Sequence, residues 1–159
     1  MVETIECDMK SLDWKPESID LLWSEGAAYN LTFKGALKAW RPLMAPNGIA
    51  VISEIGYFTS EVPESLKVYW QNAYPAIGTE SENSIHANSS GFKILGIHRL
   101  PSKAWWENYY GPLRDNMNFF KHSEDSIMQA VIKETEEEMK LFEEHEEQYG
   151  YSFYMMKAV

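Results

Sequence analysis

Between Ile19 and Ile55 the chain reads strand, helix, strand, and that order restricts its fold more than any other feature. Ile19 to Trp23 is a short apolar run in which the adjacent Leu21 and Leu22 face opposite ways, the pattern of a strand covered on both sides. Thr32 can cap the helix that follows, whose Phe33, Ala36, Leu37, Trp40 and Met44 recur at helical spacing on one face. Pro42 removes one donor from its last turn, and Pro46-Asn47-Gly48 ends it by breaker chemistry before a second strand, Ile49 to Ile55. A βαβ unit implies a parallel pair joined by a right-handed crossover, and with it an α/β fold.

The flanking segments extend this pattern. Val2 to Cys7 alternates apolar and polar residues, which predicts a first strand ending at Asp8-Met9. Pro63 to Ala73 is helical and closed by Tyr74-Pro75, and Ser81 to Ser90 forms a shorter helix ahead of Gly91. Phe92 to Leu100 is a strand by alternation, stopped by Pro101. Ser102 then opens an aromatic segment, Trp105-Trp106-Glu107-Asn108-Tyr109-Tyr110, which Gly111-Pro112 interrupts. Ser123 to Gln148 is the longest helix, with Ser123 as cap, Asp125 in its first turn and an apolar stripe of Met128, Val131, Ile132, Met139 and Phe142. Its Glu136, Glu137, Glu143, Glu144, Glu146 and Glu147 read as a solvated face. Gly150 is placed to end this helix, leaving Tyr151 to Met156 as a closing strand.

Composition excludes several functions. With 159 residues, 45% of them hydrophobic, one domain over residues 1–159 is expected. Fourteen basic against 24 acidic side chains leave a net charge of −10, the wrong sign for a phosphate backbone, so no nucleic acid partner is expected. The single Cys7 cannot form an internal disulfide, and no basic segment precedes an apolar one at the start, so a cytoplasmic location is expected. No window approaches the roughly 18 apolar residues of a membrane span. His86, His98, His122 and His145 show no spacing that gathers metal ligands, so no metal is expected.

Three motifs in order carry a family resemblance: Asp8-Met9, then Ser18-Ile19-Asp20-Leu21-Leu22-Trp23-Ser24-Glu25-Gly26, then Trp40-Arg41-Pro42-Leu43-Met44-Ala45-Pro46-Asn47-Gly48. Together they resemble the third-strand end, fourth strand and fifth-strand approach of class I S-adenosylmethionine-dependent methyltransferases. The run from Trp23 to Asn30 and the closing Tyr149-Gly150-Tyr151-Ser152-Phe153-Tyr154 look like a small-molecule branch of that family. The resemblance covers nearly the whole chain. It implies a Rossmann-like α/β sheet, mostly parallel, whose last strand is antiparallel and inserts between the fifth and sixth strands; residues 151–156 should then pair with both 49–55 and 92–99.

The sequence departs from the family in one respect that touches chemistry. No two glycines have the G-x-G spacing, so the glycine-rich turn after the family's first strand is absent, and the acid that grips the ribose is expected in the same missing region. The expectation is a truncated, C-terminal portion of a methyltransferase domain with an incomplete S-adenosylmethionine site. Residues 19–23 would then be a bare sheet edge, which predicts a homodimer.

The resemblance also implies roles. Asp8 would accept a hydrogen bond from the adenine amino group with the Met9 backbone beside it, although by its residues alone it is an ordinary strand-end aspartate. Ser24, Glu25 and Gly26 would stand at the carboxyl end of the fourth strand, where open α/β sheets bind ligands; Gly26 equally serves to turn the chain. Tyr29 and Asn30 are placed to face a methyl acceptor, while Tyr29 also suits packing under the helix. Trp105, Trp106, Tyr109 and Tyr110 suit either an acceptor pocket or plain core. Glu25 is the candidate general base, required only if the acceptor must lose a proton. Two functions follow as expectations: a methyltransferase acting on a small molecule, this chain alone being inactive, or a non-catalytic module of the same fold used in self-association or partner binding.

Overall fold

The structure, a computed structural model, describes residues 2–159. Its sheet has five strands: β1 (Ile19–Ser24), β2 (Met44–Tyr57), β3 (Gly78–Thr79), β4 (Phe92–Arg99) and β5 (Tyr149–Ala158). The order is β1-β2-β5-β4, with the two-residue β3 against the end of β2. β1 and β2 run parallel, and β5 is antiparallel to both its neighbours, opposing Ile55 with Tyr151 on one side and His98 with Phe153 on the other. The last strand therefore inserts where the resemblance requires it.

Six helical segments cover this sheet: α1 (Phe33–Trp40), α2 (Glu64–Ala73), α3 (Glu80–Ser89), α4 (Ser102–Trp105), α5 (Gly111–Phe120) and α6 (Ser126–His145). Side-chain alternation along β2 divides the core in two. Ala50 and Ile52 join Phe33, Leu37 and Trp40 of α1, Ala87 of α3, and Tyr154 and Met156 of β5. Ile55 and Tyr57 join Leu66 of α2, Trp105, Tyr110, Met139 and Phe142. α1 begins at Thr32, whose hydroxyl accepts the Gly35 amide (3.2 Å). α3 begins with a reciprocal capping box in which Thr79 and Glu82 satisfy each other's amides.

Several expectations are corrected. Residues 2–7 form no strand and are exposed, because no neighbouring strand offers them a ladder and a lone strand has little stability of its own. β1 is an edge strand, as expected, but one of its faces is open rather than covered, with Leu21 59% and Trp23 60% exposed. β2 starts at Met44, so that residue leaves the α1 stripe. Asn47 adopts a left-handed backbone (φ 65°) inside β2, and a Cβ on Gly48 would meet the Ile19 carbonyl at 2.7 Å. α6 is capped by Asp125, which accepts the amides of Ile127 and Met128, while Ser123 accepts that of Asp125. Gly150 lies within β5 rather than at a helix end.

The aromatic segment departs furthest from its sequence reading. Gly111-Pro112 does not interrupt the helix; residues 106–110 widen into a π turn that carries α4 into α5. The Gly111 amide donates to the Trp106 carbonyl five residues back, and Pro112 falls where a missing donor is tolerated. A Cβ on Gly111 would sit 2.7 Å from that same carbonyl oxygen, so the wide turn depends on glycine.

Candidate functional site

At the carboxyl ends of β1 and β2 the chain turns sharply at Gly26, whose φ is 55°. Its amide donates to the Ser53 hydroxyl on β2 (2.8 Å), which pins the turn to the sheet. Cavities lie on both sides of this turn. One, of about 570 Å3, is lined by Gly26 and by the rings of Tyr29, Trp70, Tyr74, Trp105, Tyr109 and Tyr151. The other, of about 350 Å3, lies between Met9, Leu12, Leu22 and Trp40 on its apolar side and Ser24, Glu25 and Ala27 on the turn.

The larger cavity has two aromatic walls. Tyr29 meets Tyr74 edge to face at 6.1 Å, and Trp105 packs against Tyr151 at 5.3 Å and Tyr109 at 6.4 Å. Trp105 is held from behind by a 4.5 Å stack on Phe142 of α6, so the π turn and the longest helix together set its angle. Glu138 contributes a carboxylate to the lining and accepts the Tyr110 hydroxyl at 2.8 Å. The lining includes no Lys, Arg or His among the described residues.

Behind Tyr74 lies Glu54, a carboxylate only 1% exposed and the one charged residue of β2, next to the buried Ser53. Tyr74 donates its hydroxyl proton to Glu54 Oε1 (2.8 Å) and accepts the Phe33 amide (3.3 Å), while Glu54 Oε2 has no hydrogen-bond partner. Burial without a counter-charge pushes the carboxyl up to about 7, against a smaller downward pull from the Tyr74 hydrogen bond. Burial and the neighbouring Glu54 likewise raise the Tyr74 phenol.

The structure gathers some of the expected site residues and separates others. Gly26, Tyr29, Trp105 and Tyr109 line the larger cavity; Met9, Ser24 and Glu25 line the smaller. Asp8 is exposed one residue outside the smaller cavity, its carboxylate closing a turn by accepting the Lys10 amide (2.9 Å). The Met9 carbonyl accepts the Trp40 indole N–H (2.7 Å), which holds this segment against α1. Glu25 accepts the Trp23 indole N–H. Asn30 donates to the Ala27 carbonyl (3.1 Å) outside both cavities, Trp106 donates to Glu146 (3.2 Å), and Tyr110 is fully buried core. Glu146 is thus half-buried rather than part of a fully solvated face.

Glu54, Trp70, Tyr74, Glu138 and Tyr151 enter the picture only through the fold. Glu54 carried the one visible signal, a charge inside an apolar strand; Tyr74 had read only as a helix stop. Among the described residues no three His, Cys, Asp or Glu side chains gather as a metal site, and no helix is long and apolar enough to cross a membrane.

No family model and no curated protein matches the sequence. Solved structures share the fold. The Escherichia coli protein YjhP aligns with a TM-score of 0.76 at 16% identity, over 98% of this chain and 64% of that one. A methyltransferase from Geobacter sulfurreducens, in complex with S-adenosyl-L-homocysteine, aligns with a TM-score of 0.73 at 12% identity, again over 98% and 64%. Phosphoethanolamine N-methyltransferase 2 of Haemonchus contortus, in complex with S-adenosyl-L-methionine, aligns with a TM-score of 0.69 at 15% identity, over 96% of this chain and 36% of that one. The chain has the fold of the class I S-adenosylmethionine-dependent methyltransferases and spans 36% to 64% of the length of these three structures.

Proposed function

We propose that this chain contributes the acceptor side and part of the donor side of a methyltransferase that uses S-adenosylmethionine on a small molecule. The observation that carries the reading is the turn at Ser24-Glu25-Gly26-Ala27, which borders both cavities at the carboxyl end of the sheet. A donor on one side and an acceptor on the other would meet at this turn, and an in-line displacement then requires the sulfonium methyl to reach past Gly26 to within about 3–3.5 Å of the acceptor atom.

The smaller cavity fits the adenine part of the donor in chemistry: an apolar floor of Met9, Leu12, Leu22 and Trp40 beneath a polar edge at Ser24 and Glu25. When bound, the donor supplies an electrophilic methyl group on a sulfonium. Asp8 is one residue from this floor and accessible to an exocyclic amine; Glu25 stays with the donor-side edge. The 159 residues contain no G-x-G turn for the methionine part, so this chain holds the donor weakly and is inactive alone. The test is amide chemical-shift mapping with S-adenosylhomocysteine at millimolar concentration. Shifts confined to Met9, Leu12 and Ser24 to Ala27 are expected; shifts elsewhere, or none, would overturn the donor assignment.

The exposed edge of β1 favours a second reading, a self-associating module of the same fold. Leu21 and Trp23 stand on an edge that pairs only with β2, and such an edge accepts a strand from a second copy. The oligomeric state in solution tests it.

A further inference from the structure

The larger cavity unites three features: six aromatic side chains in its lining, carboxylates at Glu138 and behind Tyr74, and no basic side chain in the described lining. An anionic ligand would meet only like charge there. A neutral apolar ligand would leave both carboxylates, each held by one tyrosine hydroxyl, without a counter-charge, and buried charge is costly unless paired. A cation is attracted by the ring faces and by the carboxylates together.

Resting on the methyltransferase reading above, we propose that the acceptor is an organic amine, seated between the Tyr29–Tyr74 and Trp105–Tyr109 walls, with Tyr74 and Glu54 as the outlet for its proton. An ammonium has no lone pair to attack with, so it must lose one proton before or during transfer. The ammonium proton passes to Tyr74 Oη as the phenolic proton passes to Glu54 Oε1, already 2.8 Å away. The freed nitrogen lone pair forms the new N–C bond; the S–C bond of the sulfonium donor breaks, its electron pair staying on sulfur as a thioether. Glu54 then returns the proton to solvent.

Glu54 Oε2 is buried with no partner, an exception that calls for an explanation, and uptake of a proton in this role supplies one. The groups facing Glu54 are Tyr74 from the segment after α2, and Tyr151 and Tyr154 from β5. Ser152, opposite Glu54 in the ladder, carries Glu80 of α3 on its hydroxyl, and Glu80 is itself neutralised by Arg99. No cation competes with the amine for Glu54 among these groups.

The experiment compares choline with its neutral carbon isostere 3,3-dimethylbutan-1-ol by quenching of tryptophan fluorescence, with Trp70 and Trp105 in the cavity wall as reporters. Choline is expected to bind about tenfold or more tighter than the alcohol. Its affinity should rise with pH through the neutral range, and this rise should vanish in Glu54→Gln. Glu138→Gln, on the half-exposed face of α6, should weaken choline several-fold and leave the alcohol unchanged, which gives a readout if the Glu54 variant folds poorly. Equal binding of the two probes, tighter binding of the alcohol, or no binding of either would overturn the amine assignment. A pH-independent choline affinity would remove Glu54 from it. The shift mapping reads S-adenosylhomocysteine at Met9, Leu12 and Ser24 to Ala27, independently of both probes, so each of these failures leaves the test of the donor site standing.

Discussion

The Tyr74 hydroxyl donates to Glu54 Oε1 at 2.8 Å, and the other carboxylate oxygen of Glu54 is buried with no partner. The pair links the helix stop after α2 to the middle of the sheet, and it couples the larger cavity to a carboxyl that burial pushes up to about 7. Its placement gives a prediction about stability that is independent of catalysis.

Glu54 is raised from 4.5 to about 7 by burial, so the fold prefers its neutral form. The stability linked to that preference is full below the unfolded value and is lost as pH rises through the folded one. The loss amounts to roughly 3 kcal/mol at most by pH 8. Glu54→Gln, which cannot ionise, should gain Tm relative to the parent between pH 5 and pH 8. Thermal unfolding followed by circular dichroism at the two pH values checks this; a constant difference would mean that Glu54 is ionised in the fold throughout.

Glycine at position 111 makes a prediction of unusual sign. In an ordinary helix interior Gly→Ala stabilises by up to about 1 kcal/mol. Here the added Cβ would meet the Trp106 carbonyl oxygen at 2.7 Å. Gly111→Ala should therefore cost about 1–3 kcal/mol, measured by urea unfolding, because the π turn must narrow or break. It should also shift the fluorescence of Trp105, whose wall the turn positions.

For the donor, calorimetry with S-adenosylmethionine should show no micromolar binding. Asp8 already accepts the Lys10 amide, and a charge-assisted hydrogen bond from it supplies about 1.5–3 kcal/mol, against about 8 for micromolar affinity. Tight binding by this chain alone would mean that the cofactor site is complete without a glycine-rich turn.

Light scattering over a range of concentrations should find a dimer. Trp23→Lys places a charge on the exposed edge of β1 and should leave a folded monomer. A parent protein that is monomeric throughout would show that the open edge is tolerated in solution.

The sheet was legible in the sequence because its evidence is local: Thr32 with its apolar stripe, the apolar run from Ile49, and the alternation from Phe92 all act on their own segments, although Pro46-Asn47-Gly48, read as the helix stop, lies inside β2. The failures share one cause. Val2 to Cys7 alternates as a strand should, yet a strand exists only where a neighbour offers hydrogen bonds, and none is adjacent. Ser123 and Asp125 are both competent caps, and the choice between them is made by where α6 meets the chain before it. Gly111-Pro112 reads as a break because the wide turn that absorbs it has no signature in composition. The lining of the larger cavity was half legible. Gly26, Tyr29, Trp105 and Tyr109 announce themselves by type and position, whereas Tyr74 and Glu54 acquire meaning only from each other, across a separation of twenty residues that the fold closes.

The position of β5 also governs how the molecule assembles. β2 and β4 have no hydrogen bonds to each other in the ladder; β5 alone joins them. β4 ends at Arg99 and β5 begins at Tyr149, so the sheet stays split until α4, α5 and α6 have been made and the chain has come back. Closing so long a loop precedes the contacts that reward it, which slows the step. Until β5 arrives, the aromatic walls have no Tyr151 and Glu54 has no roof, so the cavity and its titrating carboxyl should appear last, in a single late phase of folding.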